Sequence, residues 1–153
     1  MTIALMLHLL AATVWVGGMF FAYMVLRPAA AGTLEAPQRL TLWVRVFAGF
    51  FPWVWFAIIS LLLTGYGMLF GIFHTMANTP IYVHLMQAMG LIMMAIFGHV
   101  FFAPFRRLKQ AVSAQDWKAG SKHLAQIRRL VGVNLVLGLM VVAMAGGGRM
   151  MMM

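Results

Sequence analysis

Four long apolar stretches separated by polar connections run along the chain. They cover roughly residues 2–26, 44–72, 80–105 and 124–146. Each is at least about 20 residues long, which is the length that an α-helix needs to cross the hydrocarbon core of a bilayer. The pattern therefore predicts an all-α integral membrane protein, in which residues 1–153 form a single domain built as a four-transmembrane-helix bundle.

Proline and polar residues mark the predicted helix ends. Arg27-Pro28 is expected to close the first helix, because proline lacks the amide hydrogen that continues the helical hydrogen bonding. Pro80 suits the first turn of the third helix. The connection over residues 106–123 is the longest and most polar. Its composition is compatible with a short amphipathic helix lying between the third and fourth spans.

Basic residues lie mainly in the connections between the apolar stretches. The chain has eleven Lys and Arg and only two acidic residues, a net charge of +9, while 64% of its residues are hydrophobic. The first and third connections are basic and the second carries no charge, so the positive-inside rule places the first and third in the cytoplasm. We therefore predict a bacterial inner-membrane protein with periplasmic termini, whose basic residues face anionic lipid rather than nucleic acid.

Two histidines lie inside the predicted spans at a similar depth. Counted from the outer surface at 1.5 Å per residue, His8 is about 9 Å deep in the first helix and His84 about 6 Å deep in the third. A bis-histidine haem b needs two such ligands on different helices, and a copper site could use the same pair. The alternative is that each histidine forms separate hydrogen bonds, as polar groups in membranes often do.

Other candidate cofactor-binding residues flank this pair or lie at the opposite side of the membrane. Trp15 shares a helical stripe with His8, beside small residues that would leave room for a macrocycle or allow close helix packing. His99 lies about 22 Å further along the third helix than His84. It falls near the depth of Arg128, where a second cofactor, a quinone, a porphyrin carboxylate or a proton relay are alternatives to an ordinary interfacial hydrogen bond.

The methionine content raises the possibility of copper chemistry. The chain has 16 methionines and no cysteine, and thioethers are soft ligands that suit Cu(I). The run Met150 to Met153 falls on the predicted outer side, where it would either collect copper or form a disordered tail. Both acidic residues, Glu35 and Asp116, lie in predicted cytoplasmic connections, so we expect no carboxylate pair within the membrane.

The segment "MLHLLAATVWVGGMFFAYMVLRP", with His8, Trp15, Gly17 and Gly18, resembles the opening span of CopD-domain membrane proteins. That family is associated with copper resistance. The four-span layout also resembles the HemJ-type protoporphyrinogen oxidases, although Met86 stands where that group usually has a lysine. The resemblance to the HemJ type implies haem b, with His8 and His84 at the candidate ligand positions.

The function that the sequence favours is a bis-His, haem b-binding membrane redox protein that transfers electrons between a quinol or porphyrinogen and an acceptor. Whether it is an enzyme stays open; a haem-dependent oxidoreductase is the catalytic form of this hypothesis. The first alternative is a copper uptake or resistance protein that binds Cu(I) through His and Met. The second is an accessory subunit of a larger membrane complex, and a homo-oligomer is a further option.

Overall fold

The computed structural model describes residues 2–147, which form helices and short connections without a β-strand. The six α-helices are α1 (Thr2–Phe20), α2 (Arg27–Thr33), α3 (Ala36–Phe73), α4 (Ile81–Phe102), α5 (Pro104–Ser113) and α6 (Trp117–Gly147). A π-helical turn, Phe21–Leu26, joins α1 to α2. A 3₁₀ turn, Met76–Asn78, lies between α3 and α4.

Four continuous helical segments are long and apolar enough to cross a membrane, which confirms the predicted fold class. They are Thr2–Thr33, Ala36–Phe73, Ile81–Ser113 and Trp117–Gly147. Large apolar side chains such as Leu63 and Phe56 point outward and are 71% and 64% exposed. This exposed apolar surface is what a bilayer would cover.

The first helical segment does not end at Arg27-Pro28, so that predicted boundary was wrong. The amide of Arg27 donates to the carbonyl of Ala22, five residues back, and the chain continues in α2. Pro28 has no amide hydrogen for the carbonyl of Met24 and its ring would crowd that group. The π-helical turn just before Pro28 is the local adjustment by which the helix continues past the proline.

The amphipathic helix α5 follows α4 after a turn at Ala103 and lies between α4 and α6 in the chain. Its buried face carries Phe105, Leu108 and Ala111, while Arg106 and Arg107 are exposed. Apolar and basic side chains alternate at helical spacing, so the apolar face packs against the bundle and the basic face points outward. The sequence-based expectation of a short amphipathic helix is confirmed.

The bundle core is aromatic between α3 and α4, and a glycine allows closer helix contact at α6. Phe51 and Phe97 meet edge to face with ring centroids 5.2 Å apart, a favoured geometry for aromatic pairs. Gly138 lets α6 approach closely, since a Cβ there would lie 2.9 Å from Val16 and 3.1 Å from Met93. The bundle therefore combines bulky spacers with close helix contacts typical of membrane proteins.

The two ends of the bundle differ in charge. The basic end holds the α2–α3 connection and α5, and the neutral end holds the start of α1 and the connection over residues 74–80. The assignment of the basic end to the cytoplasm stays a prediction from the positive-inside rule.

Candidate functional site

His8 is held in a defined orientation against α3. Its Nδ1 lies 2.8 Å from the hydroxyl of Thr64, and that hydroxyl donates its own hydrogen to the carbonyl of Ser60. The Thr64 oxygen must therefore accept from His8, which assigns the proton to Nδ1. The lone pair on Nε2 is then available as a ligand for a metal ion.

Gly65 makes room for the imidazole of His8. A Cβ added at Gly65 would lie 3.2 Å from Cε1 and 3.7 Å from Nδ1 of that ring. The first distance is tighter than an ordinary van der Waals contact, so a side chain here would displace the imidazole. Thr64 and Gly65 thus act together, one orienting His8 and the other allowing its close approach.

Further polar contacts lie toward the neutral end of the bundle. Nε2 of His84 lies 3.2 Å from the carbonyl of Met76 in the α3–α4 connection. One turn further along α4, the side-chain amide of Gln87 donates to the hydroxyl of Tyr66 at 2.7 Å. His8, Thr64, Tyr66 and Gln87 are called the polar layer below, because each lies on, or contacts, the turn of α3 around Gly65.

In the structure His8 and His84 contact different partners, the hydroxyl of Thr64 and the carbonyl of Met76. Thr64, which holds His8, and Tyr66, which holds Gln87, are two residues apart on α3. Side chains two residues apart leave a helix about 200° apart, so α1 and α4 approach different sides of α3 here. A ligand shared by the two histidines would also have to replace the contact of His84 with Met76. The shared pair stays a prediction.

The remaining predicted site residues are dispersed. Trp15 is 3% exposed and meets Phe97 edge to face, with centroids 6.3 Å apart, so it fills the core between α1 and α4. His99 is exposed in the last turn of α4. Arg128, by contrast, lines a large cavity at the basic end, and His99 is not part of that lining.

This cavity, called the arginine cavity below, has a volume of about 630 Å³. Arg27, Arg39 and Arg128 give it three cationic side chains, and neither Glu35 nor Asp116 lines it. The other lining residues are mainly apolar or aromatic: Ala22, Tyr23, Met24, Pro28, Ala31, Trp43, Phe47, Leu124, Ile127 and Val131. The cavity therefore combines apolar walls with positive charge that no lining carboxylate neutralises.

Asn134 forms a second buried polar contact near the centre of the bundle. It is 3% exposed, and its amide nitrogen donates to the carbonyl of Met93 at 3.1 Å. Its Oδ1 has no hydrogen-bond partner among residues 2–147, and Asn134 is one of the residues that line a smaller cavity of about 30 Å³. That space is enough for one water molecule. The contact joins α6 to α4.

No group of three or more His, Cys, Asp or Glu side chains that could hold a metal ion occurs within residues 2–147. A copper site in this part of the chain would therefore combine one or two imidazoles with softer or neutral ligands. The run Met150 to Met153, a predicted copper-collecting segment, lies outside the described residues.

Sequence reasoning did not single out several residues that build these two regions. Thr64 was recognisable only as a polar residue within a span, and Gly65 carried no signal by itself. Arg27 and Arg39 looked like ordinary connection residues. Estimating depth at 1.5 Å per residue along the first and second spans would have placed Thr64 near His8. Both residues lie in the half of the membrane next to the neutral end.

In the comparison with protein families, residues 44–147 match the family CopD, described as copper resistance protein D. The matched range includes Thr64, Gly65, His84 and Arg128, while α1 and its His8 precede it. No curated protein and no solved structure matches the chain. Since the matched range is more than half of the 153 residues and contains two of the four spans and most of a third, this chain is a member of the CopD family of multi-pass membrane proteins.

Proposed function

We propose that this CopD-family protein binds copper(I) within the membrane, as part of copper uptake or resistance, with His8 as its principal ligand. The observation that supports this proposal is the oriented imidazole of His8. Its Nδ1–H is fixed on Thr64, and a fixed hydrogen bond of this kind is what orients metal-binding histidines in other proteins. Copper is here the cargo rather than a resident cofactor.

A thioether is the second ligand that the sequence offers close to His8. Met68 follows Thr64 by four residues and lies on the same stripe of α3, one turn nearer the neutral end. Imidazole and thioether donors together suit Cu(I), which prefers soft ligands. This arrangement needs no cluster of acidic or thiolate groups, in keeping with the composition of the spans.

Competition titration with a chromophoric Cu(I) chelator tests the proposal. The purified protein should bind about one Cu(I) tightly, and His8→Ala should lose that binding. His74→Ala is the matched control, because His74 is an exposed histidine in the α3–α4 connection. Equal binding by the wild type and His8→Ala would contradict the proposal, whereas loss in Met68→Leu would extend the ligand set.

The second candidate function is bis-His haem b redox chemistry, in line with the resemblance to HemJ-type proteins. The observation that favours it is again the available Nε2 of His8, since an axial haem ligand needs such a lone pair. His84 would have to turn away from Met76 to supply the opposite ligand. Haem would then provide the electron-transfer chemistry, with quinol or porphyrinogen as the reductant. The contact of Thr64 with His8 would orient the axial imidazole.

Removal of each histidine separates the two functions. Under the haem hypothesis, His8→Ala and His84→Ala should each abolish the haem absorption bands of the purified protein. Under the copper proposal there are no such bands, and His84→Ala affects Cu(I) binding less than His8→Ala does. If neither variant changes any bound group, an accessory role in a larger complex becomes the better account, and co-purification of a partner would support it.

A further inference from the structure

We propose that the arginine cavity is a binding site for an anionic phospholipid, with the phosphate held by Arg27, Arg39 and Arg128. This site lies at the basic end of the bundle, away from the polar layer around His8. The inference is therefore independent of copper or haem binding.

The positive charge of the three arginines in the cavity favours an anionic ligand. Arg27 stacks over the ring of Tyr23 at 4.9 Å, and Arg39 donates to the carbonyl of Leu34 at 3.2 Å. These contacts hold two guanidinium groups in place without neutralising either charge. Arginine binds phosphate through paired charge-assisted hydrogen bonds, so three such groups around one cavity match a phosphate headgroup.

The apolar walls of the cavity favour a ligand that has a hydrocarbon part. Trp43, Phe47 and Ile127 contribute aromatic and aliphatic surface beside the arginines. The smaller cavity toward the bundle centre shares Ala22, Phe47 and Val131 with the larger one, so apolar surface continues inward. Basic pockets between transmembrane helices commonly bind phospholipid headgroups. A free inorganic anion would leave this apolar surface unused.

A π-helical turn forms part of the cavity wall and directly precedes one of the three arginines. The π-helical turn Phe21–Leu26 contributes Ala22, Tyr23 and Met24 to the wall, and Arg27 follows directly. A π-helical turn changes the angular position of the residues after it, and such turns are frequent at functional sites. The Tyr23 ring rests against Gly132 of α6, where a Cβ would lie 3.1 Å from Cε2 and 3.3 Å from the hydroxyl oxygen.

Native mass spectrometry of the detergent-purified full chain, titrated with dioleoyl phosphatidylglycerol or dioleoyl phosphatidylcholine, tests the proposal. The anionic lipid should bind at least tenfold more tightly. Replacing Arg27, Arg39 and Arg128 together by Gln should weaken its binding roughly 100-fold, taking about fivefold for each charge near an anionic headgroup.

The matched control removes the same charge elsewhere at the basic end. Arg106, Arg107 and Lys118 are exposed and do not line the cavity, so their joint replacement by Gln should leave affinity within about threefold if diffuse surface attraction is screened by salt. Gly132→Ala is a second test that keeps every charge. It should weaken lipid binding by displacing Tyr23 and with it Arg27, whereas Gly17→Ala, with open space around its Cβ position, should not.

Four results would overturn the proposal. Equal loss in the two triple variants would show diffuse attraction, and equal affinity for phosphatidylcholine would remove the role of charge. Displacement of the lipid by inorganic phosphate or glycerol phosphate at similar concentrations would assign the site to a soluble anion. A porphyrin absorption band that is present in the wild type and lost only in the cavity variant would assign the arginines to porphyrin carboxylates.

Discussion

At the scale of single residues, the contact between His8 and Thr64 determines what the imidazole is able to do. The hydroxyl of Thr64 accepts from Nδ1 because its own hydrogen is used on Ser60. This chain of hydrogen bonds fixes both the tautomer and the direction of the ring. A metal ion would therefore meet a ligand that is already oriented.

Thr64→Val should weaken Cu(I) binding by about 10- to 100-fold, the usual range when the partner that orients a metal-binding histidine is removed. Valine keeps the shape of threonine but offers no oxygen to Nδ1. Chelator competition measures the affinity. Thr64→Ser restores the hydroxyl and should recover most of the binding, while full affinity in the valine variant would contradict the orienting role.

Gly65→Ala should also weaken Cu(I) binding, but for a steric reason. The new Cβ would press on Cε1 of His8 at 3.2 Å and push the ring out of line with Thr64. Gly67→Ala is the control on the same helix, because no other group lies within 4 Å of its Cβ position. If the two alanine variants bind Cu(I) with comparable affinity, the close approach of His8 to Gly65 does not contribute to Cu(I) binding.

His8 was recognisable from the sequence because an ionisable side chain inside an apolar span is rare. Its partner on α3 was not, since that contact depends on how two helices are rotated and shifted against each other. Trp15 illustrates the same difficulty: its stripe on α1 was visible, but the structure shows that this stripe faces the aromatic core at Phe97.

At the scale of helices, glycines determine how closely neighbouring segments approach. Gly17 and Gly18 are adjacent on α1, yet only Gly18 faces another helix, where a Cβ would overlap the ring of Phe50. Close contact at small residues supplies much of the attraction between membrane helices. The two glycines therefore form a natural pair for testing the packing of α1 on α3.

Gly18→Ala should destabilise the detergent-solubilised protein by about 1–3 kcal/mol, the usual range for an overfilled packing position. Gly17→Ala should be neutral or slightly stabilising, because alanine favours helix by up to about 1 kcal/mol. Thermal unfolding followed by circular dichroism compares the two variants. Equal midpoints would mean that Phe50 moves aside without cost.

The sequence predicted the number of membrane-spanning segments correctly but not all of their ends. Hydrophobic length identifies spans well, because a bilayer accepts few alternatives to a helix. Pro28 was taken as a helix end, whereas a π-helical turn before it lets the helix run on to Thr33. The choice between ending and adjusting depends on tertiary contacts such as that between Tyr23 and Gly132, which a local pattern does not contain.

At the scale of the whole molecule, the two ends of the bundle separate two kinds of chemistry. The neutral end carries His8, His84 and their hydrogen-bond partners, and the basic end carries the arginine cavity. The positive-inside rule would place the metal-binding candidate near the outer surface and the cavity at the anionic inner leaflet.

Reporter fusions test this orientation. A reporter that is active only outside the cytoplasm should be active when inserted after Ala77 and inactive when inserted after Ala114, since these residues lie in connections at opposite ends of the bundle. A reporter active only in the cytoplasm should give the reverse pattern. Reversed activities for both reporters would place the histidines on the cytoplasmic side.

We propose that this CopD-family protein binds copper through His8, and that His8 does not bind haem. The most direct measurement is the visible spectrum of the purified protein, oxidised and then reduced, combined with metal analysis of the same sample after expression with added copper. We expect bound copper that is absent from His8→Ala, and no haem bands in either state. A sharp haem spectrum on reduction that disappears in His8→Ala would contradict the copper proposal and establish the haem function instead.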